Sequence, residues 1–138
     1  MWTKMEKVHP YVKSAHISID AATKETYHKV RLHGKWDMLQ NNLKYLSEEV
    51  VPNFDFIICS MVVQTSNYKE MYDFVNMIVG YFGSRARIQL LKIIKLDFMT
   101  DEYWKEEYIY DPSHPDYEDF RKQAELVSTH PFVNQNLI

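Results

Sequence analysis

Only one cysteine and three glycines occur among the 138 residues, and the five prolines are scattered. With a single thiol, Cys59, no disulfide can form within the chain, so a disulfide-held secreted scaffold is excluded. The scarcity of glycine leaves no Gly/Ser linker, no Pro-rich segment and no collagen-like repeat to divide the sequence. Neither sign of charge dominates: 16 Lys and Arg against 19 Asp and Glu give a net charge of −3, without the positive excess that nucleic-acid backbones attract. No apolar run approaches the roughly 20 residues of a membrane span, and the first residues hold no apolar stretch of signal-peptide length. The expected setting is a reducing cytoplasm, with neither membrane nor nucleic acid as partner.

What is present is a globular mixture, 46% apolar and 25% charged, with ten Tyr, seven Phe and three Trp. One domain spanning 1–138 accounts for the length, since a chain of roughly 140 residues buries about two-thirds of its unfolded surface in one core. The aromatic richness fits a bulky core and also fits pockets and interfaces.

Three strand-like runs alternate with helix-like segments over residues 1–96, the pattern of parallel strands joined by helical crossovers. The first strand covers Ala15–Ala21, with Ile17 and Ile19 on one face and His16, Ser18 and Asp20 on the other. Thr23 is a suitable N-cap for a short helix through Arg31, and Gly34 allows a break. From Trp36 to Val50 the residues Trp36, Leu39, Leu43 and Leu46 recur at helical spacing, and Pro52 and Asn53 end the helix. Phe54–Gln64, rich in Ile, Val and Phe, predicts a central parallel strand covered on both sides. Ser66 or Asn67 can cap the next helix, whose stripe is Met71, Phe74, Val75, Ile78 and Val79, with Gly80 or Gly83 as terminator. Arg87–Leu96 is the third strand. Residues 97–138, acidic, aromatic and punctuated by Pro112, Pro115 and Pro131, predict an irregular tail packed on the surface. The fold class is therefore α/β, with strand-helix units forming a parallel sheet.

The polar face His16, Ser18, Asp20 is the sharpest chemical signal, because α/β sheets take their ligands at the carboxyl ends of the strands. Ser18 and Asp20 suit a polar ligand there, although by spacing alone starting the turn and capping the following helix is the commoner role for such residues. A hydrolytic relay of Ser18, His16 and Asp20 is rejected, since alternating residues on one strand cannot form the required hydrogen-bonded chain. His114 and His130, with Asp111 and Asp116, carry metal-ligand chemistry, as do His28 and His33, but at no spacing that marks a site, so no metal is assigned.

Ser18-Ile19-Asp20-Ala21-Ala22-Thr23-Lys24-Glu25-Thr26-Tyr27, followed by Val30-Arg31, resembles the fourth strand and next helix of radical S-adenosylmethionine enzymes. Trp36-Asp37 with Asn42-Leu43-Lys44-Tyr45-Leu46 resembles the following helix. Val62-Val63-Gln64, Asn67 and Glu70-Met71 resemble the fifth strand and its helix, and His114-Pro115 also fits. Within that superfamily the likeness is to members of the SPASM type, and it spans residues 14 to about 120.

The resemblance implies a partial, half TIM-like barrel made of strands four to six. It implies reductive cleavage of S-adenosylmethionine and hydrogen abstraction as the parent activity, with a 4Fe-4S cluster held by a Cys-x3-Cys-x2-Cys loop. That loop is absent from this sequence, and Cys59 alone cannot replace it. Carried over residue by residue, Ser18 falls where the family contacts the methionine or ribose part of the cofactor, and Asp20 at a neighbouring polar position. Arg31 falls where a guanidinium pairs with the cofactor carboxylate, and Gln64 at the end of the fifth strand. The expectation is a domain inactive alone, whose partner is a cluster-bearing half. The other expectation is a free-standing α/β ligand-binding or interaction module, homodimeric through exposed sheet edges.

Overall fold

The computed structural model describes residues 6–133. Three strands, β1 (Ser14–Ser18), β2 (Phe56–Val63) and β3 (Ala86–Lys92), form one sheet in the order β1-β2-β3, and both pairings are parallel. The register sets Ser18 opposite Ser60 and Val63 opposite Lys92. Helices α1 (Lys24–Val30) and α2 (Trp36–Tyr45) connect β1 to β2, and α3 (Met71–Phe82) connects β2 to β3. Beyond β3 come α4 (Asp101–Glu107) and α5 (Tyr117–Ser128). A 3₁₀ turn at Glu6–Tyr11 precedes β1.

Strand order does not reverse, so this is not a doubly wound sheet with helices on both faces. Right-handed crossovers between sequential strands place their helices on one face. The burial alternation agrees: Ile57, Cys59, Met61 and Val63 are fully buried in one core with Leu43, Leu46, Phe74, Val75 and Ile78. On the opposite face Phe56 is 37% exposed, and Ile58, Val62 and Leu91 are only partly covered. The expectation that the central strand is covered on both sides therefore holds for one face.

Strand and helix limits shift for identifiable reasons. β1 stops at Ser18 because Asp20 adopts φ 71°, a left-handed conformation outside the strand region. The helix expected over 36–50 is regular to Tyr45 and then widens into a π turn over Leu46–Val50, ahead of Pro52. Met71 opens α3 after a 3₁₀ turn at Tyr68–Glu70, and Gly83, at φ 53°, ends it while Gly80 lies within. Thr23 caps α1, accepting a hydrogen bond from Thr26 N at 3.3 Å.

The expected irregular tail is instead largely helical up to Ser128, and residues 134–138 of it lie outside the described residues. Thr100 caps α4 through Tyr103 N at 3.1 Å. In α5 the residues Phe120, Ala124 and Val127 share one face at spacings of four and three, and all three enter the core. Pro115 stands just ahead of that helix, where a proline is no obstacle. The end of the described chain returns to the sheet, with Ile88 N donating to Phe132 O at 3.2 Å along the free side of β3.

Candidate functional site

The loops at the carboxyl ends of the strands are fixed by three buried or half-buried polar side chains. Asn67, 1% exposed, accepts from Gln64 N at 2.9 Å and donates to Asp20 O and Val62 O at 2.9 Å each, tying the end of β1 to the end of β2. Glu70 accepts from Ala22 N, Thr23 N, Thr23 Oγ1 and Thr26 Oγ1, so its carboxylate closes the start of α1 from a neighbouring unit. Glu107, buried at the end of α4, accepts from Ser66 N at 2.9 Å and from Ser66 Oγ. A buried carboxylate needs such partners to offset its lost hydration.

Ser18, Asp20, Arg31 and Gln64, the four residues singled out in the sequence, meet in one cleft of about 650 Å³ at this end of the sheet. Asp20 has little freedom: Oδ1 accepts from Val62 N at 2.7 Å and Oδ2 pairs with Arg31 Nη2 at 2.6 Å. The same Nη2 donates to Ser18 Oγ at 2.7 Å, and Ser18 Oγ in turn faces Asp20 at 3.3 Å. Asp20 is thus the fixed base of the site, while Arg31 keeps its Nη1 and Nε without a hydrogen-bond partner among the described residues. Val62, Leu91 and the residues that follow β3 give the cleft its apolar wall. Tyr103 of α4 lines it as well; burial raises its phenol above the ordinary range, Glu107 adds to this, and a hydrogen bond with Gln64 opposes it.

His16 belongs to a different contact, with Nε2 3.0 Å from Ser60 Oγ across to β2. His114 Nε2 lies 3.3 Å from Thr65 Oγ1, and its Nδ1 accepts from Asp116 N at 3.1 Å, which makes it a loop brace. Asp111 receives Ser113 N and Oγ at 2.8 Å each, and these bonds hold its carboxyl below the usual range. His130 Nδ1 faces Phe132 N, and His28 lies beside Tyr27. Among the described residues no group of three or more His, Cys, Asp or Glu side chains converges on a metal position. The residues present do not fit an iron-sulfur cluster either: the only thiol, Cys59, is fully buried in the core, and burial pushes it up to about 12.

Set against protein-family models, curated proteins and solved structures, the chain has no match in any of the three comparisons. No helix among the described residues is long and apolar enough to cross a membrane.

The sequence reading underrates Asn67, taking it as a helix cap, names Glu70 only within the resemblance, and passes over Glu107. Glu107 gives no signal in a segment already crowded with Asp and Glu.

Proposed function

We propose that this chain provides three consecutive strand-helix units of a radical S-adenosylmethionine barrel, in the half TIM-like arrangement that the sequence resemblance implies. The observation that carries the reading is the meeting of Ser18, Asp20, Arg31 and Gln64 in one cleft beyond the carboxyl ends of parallel strands. In this reading Arg31 offers its uncommitted guanidinium edge to the methionyl carboxylate, and Ser18 meets the methionine or ribose part. The apolar wall from Val62 and Leu91 receives the adenine. The unreversed strand order and the partly open face around Phe56 and Ile58 suit a sheet that continues into further barrel strands.

Reductive cleavage of S-adenosylmethionine requires an electron from an iron-sulfur cluster, and one buried thiol cannot hold it. The chain's own part is to bind and orient the cofactor, with Asp20 holding Arg31 and the end of β2 in place. Activity therefore depends on a cluster-bearing half supplied by other residues. The alternative, a free-standing α/β ligand-binding or homodimeric module, draws on the same cleft.

Anaerobic calorimetry of the purified chain against S-adenosylmethionine, with light scattering on the same sample, tests the reading. Binding in the micromolar range, lost in Ser18→Ala and Arg31→Ala, is the expected result. The absence of heat at millimolar ligand sinks it.

A further inference from the structure

The segment that follows β3 reads Ile93-Ile94-Lys95-Leu96-Asp97-Phe98-Met99. Ile93 is buried, whereas Ile94 is 66%, Leu96 40% and Phe98 79% exposed. None of these three belongs to the buried core or packs against it. The segment is nonetheless tied down: Lys95 pairs with Asp101 at the start of α4, and Met99 N donates to Leu96 O at 2.9 Å, closing a turn. Single exposed apolar side chains are ordinary on a protein surface, as Val8, Tyr11 and Met38 are here. Ile94, Leu96 and Phe98 differ, because they fall within five residues and all three line the cleft of Ser18, Asp20 and Arg31.

This wall offers a ligand contact without charge. Asp20 and Arg31 neutralise one another at 2.6 Å. The Lys92 ammonium is held over the rings of Tyr108 and Tyr110, 5.1 and 4.9 Å from their centroids, and neither ring lines the cleft. The hydroxyl of Tyr103 is engaged by Gln64. A charged group set against Ile94, Leu96 and Phe98 would lose its hydration without gaining a partner. An apolar group there removes exposed carbon from water on both sides of the contact, the main drive of association. The cleft volume of about 650 Å³ suits a small molecule, since pockets for such ligands span roughly 300–1,000 Å³.

We infer that the second ligand of this cleft is a small uncharged molecule whose aliphatic or aromatic group packs on Ile94, Leu96 and Phe98. That this molecule is the substrate rests on the proposed function, which gives Arg31, Ser18, Val62 and Leu91 to the cofactor and leaves these three side chains unused. The apolar subsite itself stands on its own geometry.

The test is a titration of the ¹⁵N-labelled full chain, followed by amide shifts, with indole, with cyclohexanol and separately with S-adenosylmethionine. Saturable shifts at residues 93–99 and 103 with indole or cyclohexanol are expected. Their dissociation constant should rise at least tenfold in Leu96→Ser and Phe98→Ser and stay within about threefold in Phe98→Leu. Tyr11→Ser, an equally exposed apolar position at the other end of β1, should leave it unchanged. Arg31→Met should keep the indole titration within about twofold while removing the response to S-adenosylmethionine. Linear, non-saturating shifts with both probes overturn the inference, as does unchanged affinity in the two serine variants. Shifts at residues 94–98 that follow protein concentration without any probe also overturn it, since the occupant is then a second copy of the chain. A saturable indole response without any response to S-adenosylmethionine upholds the apolar subsite and removes the cofactor reading; the reverse result removes the subsite and keeps the cofactor.

Discussion

Arg31 Nη2 stands 2.6 Å from Asp20 Oδ2, and through that contact the end of α1 is drawn back onto the end of β1. Asp20 holds this position at φ 71°, where a side chain with a Cβ is disfavoured unless its own hydrogen bonds compensate. The carboxylate does so by accepting from Val62 N as well.

A graded series at Asp20 follows from this. Asn tolerates the left-handed region and can retain the Val62 bond, so Asp20→Asn should cost about 1 kcal/mol through the lost ion pair. Asp20→Ala keeps the strain and leaves Val62 N without its partner, for about 2–4 kcal/mol. Urea unfolding orders the two variants, and equal losses would refute the account of Asp20 as a conformational lock.

The two glycines Gly34 and Gly80 should respond to alanine with opposite signs. At Gly34 a Cβ would stand 2.6 Å from Tyr27 Cε1 and 2.8 Å from Arg31 O, so something must shift, at about 1–3 kcal/mol. At Gly80, inside α3, nothing lies within 4 Å, so alanine should stabilise by about 0.5–1 kcal/mol. Thermal midpoints of both variants give the comparison.

Asn67→Asp should be far more costly than its size change implies. The amide nitrogen donates to two carbonyls, Asp20 O and Val62 O, and a carboxylate would put negative charge against both in a buried site. A loss of about 3 kcal/mol or more is expected, together with faster amide exchange at Gln64 and Tyr68. Slow exchange there in the variant would refute the idea that Asn67 joins the β1 and β2 ends.

Alkaline pH should weaken the fold through buried groups that are protonated in the native state. Cys59 has its ordinary value at 9.0 and is pushed up to about 12 by burial. Below the ordinary value both states carry the proton; above it the unfolded chain ionises while the folded one does not. Stability is therefore lost as pH rises through that window, at up to about 1.4 kcal/mol per pH unit for one proton. Tyr68 and Tyr110, raised chiefly by burial from 10.0, add to the loss at higher pH. Cys59→Ala should flatten the first part of a plot of urea midpoint against pH, and an unchanged slope would sink the assignment.

Much of this arrangement was legible in the sequence. The three strands, the stripe Met71-Phe74-Val75-Ile78, the Thr23 cap and the grouping of Ser18, Asp20, Arg31 and Gln64 all follow local rules of periodicity and capping or the quoted resemblance. What escaped reading depends on partners distant in the chain. Asn67 looks like a helix cap until the backbone of Asp20 is placed beside it, and Glu70 looks like a dipole charge of its own helix until α1 arrives to use it. The tail misled because Pro112 and Pro115 punctuate a loop, while the core stripe Phe120-Ala124-Val127 is diluted by charged neighbours. A glutamate as deeply buried as Glu107 has no signature among so many exposed acids.

The cleft holding Ser18, Asp20 and Arg31 has a neighbour of about 690 Å³ that reaches the adjoining connection at Thr65, and Glu102, Glu106, Asp111 and Asp116 line it against Lys105 and His114. Carboxylates thus outnumber cations at one mouth of this end of the molecule. A cation diffusing toward it is attracted by those four carboxylates, a pull that acts before contact and fades as salt shortens the screening length to about 10 Å at 0.1 M. Capture there should accordingly be fastest in dilute buffer, with the orientation of arrival set by the protein rather than by chance collision.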